Sequence, residues 1–424
     1  MLYFCIIKRN SKMNNDTPKL RKLLNRIQEL TAEGHKPMTL LAVCPNSPSV
    51  IKAAFRAAKR NNAPILFAAT LNQVDNDGGY TGMTQVDFVR TMKREARRNN
   101  YTGDFLACID HGGPWLKDIQ TLEMWPLDKA MEGVKRSYES ALLAGYDLIH
   151  VDPTVDRFLP KGKIIDIDVV AARTIELITH IENFRKERGL PCIAYEVGTE
   201  EVHGGLADES VFRRFLELLK EGLAKNGCAD AWPCFVVGKV GTDLHTTFFD
   251  PEVARKLTGI VAGYGSFIKG HYTDDVENPQ DYPLTHMGAA NVGPEFTVSE
   301  YNALEELEAV ENELYEKGCV AMHSGMTAIL ERLVVESGRW KKWVHGNESP
   351  DDFDSITPER KRWLIQTGAR YIWQKPEAVA ARQTLYENLA LNGIDAEGIV
   401  LSTIERAIDK YYVAFNLVNL NDLL

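Results

Sequence analysis

Three histidines, His111, His245 and His271, stand at the ends of separate apolar runs, each beside an acidic or polar neighbour. Imidazoles converging from distant points of a chain hold Zn²⁺, Mn²⁺, Ni²⁺ or Co²⁺ well, and suit Mg²⁺ or Ca²⁺ poorly. Carboxylates accompany them. Asp110 directly precedes His111, so the two side chains leave a strand end in different directions. One can then bind an ion while the other works on substrate as acid or base, or Asp110 simply orients the histidine. Glu196 and Glu200, four apart where a strand becomes a loop, offer a further ligand or a second proton-transfer group. Asp152 closes LIHVD and Asn291 sits in ANVGPE. His150 lies inside its run and reads as core, whereas His203, in a Gly-rich loop, reads as a substrate contact.

These residues need a scaffold that gathers strand ends. Strand-length apolar runs occur at 38–45, 64–70, 104–110, 147–153, 192–198, 234–238, 266–270 and 285–293, with helix-length amphipathic stretches between them. Such alternation predicts an α/β fold, a (β/α)8 TIM barrel, whose active site forms at the C-terminal ends of the strands. An opening helix is expected over 19–34 and a long helix or helix pair over 299–337. No strand signal recurs after that, and further helices are expected over 358–373, 376–392 and 398–414. The division is an N-terminal extension and helix (1–36), a barrel (37–338) and a helical C-terminal extension (339–424). The turn-rich NQVDNDGGYTGMT after the second run places Asn72, Gln73, Tyr80 and Thr81 where they can contact a ligand, and Lys239 follows the sixth run.

Composition narrows the class. The 424 residues are 44% hydrophobic and 25% charged, with a net charge of −10. No concentrated basic footprint is present, which argues against nucleic-acid binding. Seven cysteines without CxxC spacing read as free thiols of a reducing, cytoplasmic protein. The start, MLYFCIIKRNSK, is neither a signal peptide nor a membrane span, and Met13 is an alternative initiator. No GxxxxGK[ST] and no strand–GxGxxG–helix unit occurs, so no nucleotide cofactor is expected. The acidic tail helices point to a homo-oligomer.

The segments NQVDNDGGYTGMT, IDHGGP, VDPT, YEVGTEE, GTDLH, GHYTD and ANVGPEFT, in order across 38–335, resemble the motifs of the tagatose-bisphosphate aldolase large-subunit family. That family is similar in turn to class II metal-dependent ketose-bisphosphate aldolases, and it includes tagatose (fructose) 4-epimerases. The resemblance implies Asp110 as catalytic acid/base and His111, His245 and His271 as metal ligands. It also implies Asn291 as the residue that holds an enediolate and Glu200 as the second proton-transfer group. Where class II aldolases hold phosphate on Gly/Ser-rich loops, this chain carries Asp274, Asp275 and Glu295. Carboxylates repel a phosphate and accept bonds from sugar hydroxyls, so an unphosphorylated ketose is expected. The expected activity is metal-dependent interconversion of D-tagatose and D-fructose by retro-aldol/aldol chemistry. The alternatives are an aldolase of the tagatose-bisphosphate type and a non-catalytic stabilising subunit of one.

Overall fold

The computed structural model describes residues 17–160, 163–198, 209–243 and 245–424. After helix α1 (Lys19–Ala32) the chain alternates strand and helix: β1 (Leu40–Val43), α2 (Pro48–Asn61), β2 (Ile65–Thr70), α3 (Gln85–Arg98) and β3 (Phe105–Gly112). The short α4 (Asp118–Leu122) and α5 (Leu127–Ala144) lead to β4 (Leu148–Val151), then α6 (Ile167–Glu187), β5 (Ala194–Gly198), α7 (Glu209–Lys225) and β6 (Phe235–Val237). The round ends with α8 (Pro251–Ala262), β7 (Phe267–Gly270), α9 (Asp281–Leu284) and β8 (Ala289–Val292). The strands close in sequence order and β1 pairs with β8 in parallel register. The chain is a (β/α)8 barrel with helices added at its C-terminus, as the alternation predicts.

Local chemistry explains the element ends. The strands are buried on both faces, so they read as continuous apolar runs rather than alternating ones. Ser47 caps α2 by accepting from Val50 N, with Pro48 in the first turn, and Thr84 and Asp87 form a reciprocal capping box on α3. Asp250 accepts from the N–H groups of Glu252 and Val253 to start α8.

Beyond the barrel lie α10 (Pro294–Glu316), α11 (Met326–Ser337), α12 (Pro358–Gly368), α13 (Pro376–Ala390) and α14 (Ala396–Ala414). The stretch expected as one helix or a pair is a pair, interrupted where Gly318 and Gly325 adopt φ of 70° and 61°. No described helix is long and apolar enough to cross a membrane.

These added helices are built into the barrel wall. α14 packs against α2 and α10, and Arg56 and Arg60 of α2 both reach the buried Glu405 of α14. Phe415, fully buried, lies against Tyr282 and Tyr411 at ring separations of 5.4 and 5.5 Å. Its carbonyl accepts from Thr39 N at the entry to β1. Replacing Phe415 by Ala leaves a cavity worth about 3–5 kcal/mol. In urea unfolding followed by far-UV circular dichroism, the whole transition is expected to move to lower denaturant. A separate early loss of only the C-terminal helices would show that the extension is not part of the barrel's cooperative unit.

Candidate functional site

The C-terminal ends of five strands supply one buried polar cluster. β3 gives Asp110 and His111, β4 gives His150, β5 gives Glu196, β7 gives Lys269 and β8 gives Asn291; His271 follows β7 and Asp152 follows β4. Strand register sets the layer, since His150 lies directly beside Glu196 across β4 and β5. The β3–β4 register shifts between Ile109 and Gly112, and His111 takes a left-handed φ of 47°. Such a backbone is costly for a side-chain-bearing residue and recurs at functional positions. Here it lets Asp110 and His111 both serve the cluster.

The contacts are close and mostly ionic. Lys269 Nζ lies 2.6 Å from Glu196 Oε2 and 3.8 Å from Asp110 Oδ1. His271 Nε2 is 2.9 Å from Glu196 Oε1 and 3.7 Å from Asp110 Oδ1. His150 Nδ1 lies 3.0 Å from the N–H of His111 and within 3.6 and 3.7 Å of the Asp110 and Glu196 carboxylates. His111 Nδ1 meets Asp152 Oδ2 at 2.7 Å, and the other Asp152 oxygen accepts from Thr154. Asn291 Nδ2 donates to Asp110 Oδ1 at 3.0 Å, and its own Oδ1 is buried with no partner.

Burial alone would raise the carboxyl pKa values, but the neighbouring charges win. His111, His271 and Lys269 hold Asp110 well below the usual carboxylate range. Lys269 and the histidines bring Glu196 to about 2, and His111 brings Asp152 to about 2. Three buried carboxylates are therefore ionised at neutral pH. Lys269 is the one Lys or Arg within ion-pair distance of any of them among the described residues. Buried negative charge needs compensation.

A metal ion would offset that charge in place of protonated imidazoles. Asp110, His150, Glu196 and His271 offer ligand atoms all within 4.8 Å of one another, as do His111, His150 and Asp152. His150 Nε2 is buried without a hydrogen-bond partner. A mixed imidazole–carboxylate set of this kind is compatible with a divalent transition metal.

The structure brings together His111 and His271, whose rings are 4.6 Å apart, but not His245. β6 ends at Val237, well before His245, which is exposed and packs on His345 and Trp363 at ring separations of 4.7 and 5.3 Å. The sixth strand stops where the apolar run 234–238 stops, and the segment beyond it carries His245 to the surface instead of to the ring. His150, read as core because it sits inside β4, lies with the other polar strand ends, its Nδ1 3.6 and 3.7 Å from the Asp110 and Glu196 carboxylates. Lys269, not singled out from the sequence, is the cation of the site, and the signal for it was a lysine within an apolar run. Lys239 is half-buried just past β6. Glu200 and His203 lie outside the described residues.

The glycine-rich loop after β2 is largely self-consumed. Gly79 at φ 52° would place a Cβ 2.4 Å from Gln73 O, so only glycine closes the turn. Asn72 bonds Leu116 O and Asp118 N, Thr81 bonds Gln73 O, and Gln73 bonds Thr70 N and Asn46. Their side chains tie the loop together. Tyr80 OH reaches Asn46 Oδ1 at 3.4 Å, and its ring meets Tyr371 of the C-terminal extension edge-on at 5.2 Å.

Of Asp274, Asp275 and Glu295, expected to accept from sugar hydroxyls, Asp274 and Glu295 have their carboxylates occupied by protein donors, while Asp275 contributes its backbone N–H. Asp274 Oδ1 accepts from Gly293 N and Glu295 N at the start of α10, both at 2.8 Å. Glu295 accepts from Asp275 N, Lys410 and Tyr411. The anion position at that helix N-terminus is filled by the protein's own carboxylate.

A family model described as "D-tagatose-1,6-bisphosphate aldolase subunit GatZ/KbaZ-like" matches residues 24–412. A "D-tagatose 6-phosphate 4-epimerase" of Agrobacterium fabrum strain C58 is 27% identical over 426 residues, covering 89% of this chain and 95% of that protein. A Sinorhizobium meliloti 1021 structure, described as a probable tagatose 6 phosphate kinase, superposes with a TM-score of 0.73 at 23% identity, covering 89% of this chain and all of that one (100%). A fructose-bisphosphate aldolase of Campylobacter jejuni gives 0.55 at 12% identity over 94% of this chain and 95% of that one. At these identities the two structures establish the shared fold.

Two outcomes follow from the geometry. Metal content measured by mass spectrometry after reconstitution should fall in His150→Ala and stay at the wild-type level in His245→Ala; the reverse would remove His150 from the ion site. Burial, with Glu295 and Asp275 nearby, raises the Asp274 carboxyl from 3.8 to about 7 despite the two N–H groups it accepts from. A folded-state value above the unfolded one means that the folded chain holds the extra proton. Stability is therefore expected to decline as pH rises from about 4 to about 7 through this group. Asp274→Asn should flatten that slope in thermal melts across the window, and an unchanged slope would assign it to another group.

Proposed function

Because this chain belongs to the D-tagatose-1,6-bisphosphate aldolase subunit GatZ/KbaZ-like family, we propose that it is a metal-dependent ketohexose 4-epimerase acting on the tagatose/fructose pair by cleaving and remaking the C3–C4 bond. The observation that carries the reading is the trio of ionised carboxylates gathered at the barrel mouth beside three imidazoles, with one lysine among the described residues. The 4-epimerase of Agrobacterium fabrum supports the same reaction class.

The residues that would hold the ion are His111, His150 and His271, with Glu196 as carboxylate donor. When bound there, a divalent Zn, Mn, Ni or Co ion supplies Lewis-acid polarisation of the ketose carbonyl. Asp110, ionised at neutral pH, is placed to take the proton of the C4 hydroxyl. The C4–O electrons then form the aldehyde as the C3–C4 pair moves into the upper fragment, giving an enediolate and glyceraldehyde or its phosphate. Asn291, which already orients Asp110, presents its amide to the developing oxyanion. Lys269 fixes Glu196 and offsets charge at the same place. When the aldehyde turns and recombines through its other face, the new C4 alkoxide takes a proton from a second group on the opposite side, for which Glu200 is our assignment. Substrate contacts at His203 and Lys239 belong to the same proposal.

The fold is also that of aldolases, so products decide. Metal-loaded protein incubated with D-fructose, D-tagatose and their 6-phosphates is expected to interconvert the C4 epimers, as resolved by chromatography. Asp110→Asn should lower the rate about 10²–10⁴-fold. Steady triose release into a trapping enzyme would make the chain an aldolase, and no turnover with any of the four would favour a stabilising subunit.

A further inference from the structure

We propose that Tyr138, on the outer helix α5 and away from the strand ends, is a positioning residue whose hydroxyl clamps the turn that presents His111 to the ion site. The inference rests on the ion-binding reading above and adds a residue that no strand end supplies.

The turn it holds is strained and closely packed. His111 carries its left-handed φ of 47° where the β3–β4 register shifts, and the next residue, Gly112, ends β3. A residue with a side chain keeps such a backbone only where its surroundings over-determine it. Here they do so from both flanks. A Cβ on Gly112 would lie 2.7 Å from Tyr138 Cε1 and 2.8 Å from His150 O, and one on Gly113 would lie 1.8 Å from Asp152 O. The turn is wedged between α5 and the end of β4.

The polar contacts converge on one carbonyl of that turn. Tyr138 is fully buried and donates its O–H to Gly112 O at 2.6 Å, while Asp152 N donates to the same oxygen at 2.7 Å. Both lone pairs of the carbonyl are thereby used. Asp152 Oδ2 in turn meets His111 Nδ1 at 2.7 Å, and the His111 N–H donates to His150 Nδ1 at 3.0 Å. Gly112 thus fixes the backbone beside His111, and Asp152 fixes its ring. With Nδ1 donating to a carboxylate, the imidazole lone pair sits on Nε2, the form in which a histidine binds a metal.

A buried tyrosine commonly finds an acceptor for its hydroxyl. Tyr101 does so too, donating to Ala63 O at 2.7 Å and Asp104 O at 3.0 Å. Those acceptors precede β2 and β3, at the end of the barrel opposite the mouth. What distinguishes Tyr138 is an acceptor that it shares with Asp152, one residue from the strained His111.

Tyr138→Phe removes the hydrogen bond and keeps the ring, and Tyr101→Phe does the same at the far end of the barrel. Affinity for Co²⁺, followed by visible absorption in competition with a chelator, should fall about 10–100-fold in Tyr138→Phe and stay at the wild-type level in Tyr101→Phe. Histidine-selective nitrogen NMR of the metal-free protein supplies a readout that needs no ion. The His111 Nδ1–H signal, assigned by its loss in His111→Gln, should shift and exchange faster with water in Tyr138→Phe alone; circular dichroism reports whether each variant folds. An unmoved His111 signal overturns the proposal. So does Co²⁺ binding that Tyr138→Phe weakens no more than Tyr101→Phe does, where the wild type binds the ion. If the wild-type protein takes up no ion and the His111 signal still moves in Tyr138→Phe, the ion reading fails and the clamp stands.

Discussion

Excess negative charge buried at the mouth of the barrel is the constraint around which the rest of the site is arranged. Asp110, Asp152 and Glu196 are each almost fully enclosed, and all three remain ionised because His111, His271 and Lys269 stand beside them. Isolated buried carboxylates would take up protons instead. Their joint ionisation is possible only because strands from around the barrel deliver the compensating groups within ion-pair distance. A barrel does this well, since every strand end is a fixed point on a ring and its inward side chain cannot turn away.

The same ring explains the division of labour among polar groups. Asn291 and Lys269, on adjacent strands, hold Asp110 and Glu196 from one side, while His150 sits between those carboxylates from the other. Asp152 is tied to His111 and Thr154, which suits a residue that orients an imidazole more than one that touches a sugar. The left-handed backbone at His111 is part of this arrangement: an extended residue there would point the imidazole away from Asp152's side of the ring.

The C-terminal helices contribute at both ends of the hierarchy. α14 completes the barrel wall against α2 and α10, with Tyr411 reaching Glu295 and Thr273 O near the mouth. The segments around Arg339 and Arg370 then bring aromatic and cationic side chains to the β2 loop. Asp274 and Glu295 are spent inside this framework, which removes the ground on which they would argue for an uncharged sugar.

Much of this was legible in the chain. Eight strands buried on both faces are apolar along most of their length, so their runs and the amphipathic stretches between them mark a parallel barrel without reference to coordinates, and Asp110, His111 and His271 stand at or just past strand ends. Pairing across the barrel is a different matter. Whether His150 faces the core wall or the axis depends on the register of β4 against β5, and whether His245 reaches the ring depends on where β6 stops. Neither is encoded in local periodicity, because a strand-end histidine and a loop histidine have the same neighbours in sequence. The role of Lys269 likewise depends on charges far away along the chain. Residue type and spacing determined the fold and the kind of chemistry; which side chains share one pocket was decided by tertiary structure, since electrostatic compensation acts through space between strands that sequence order keeps apart.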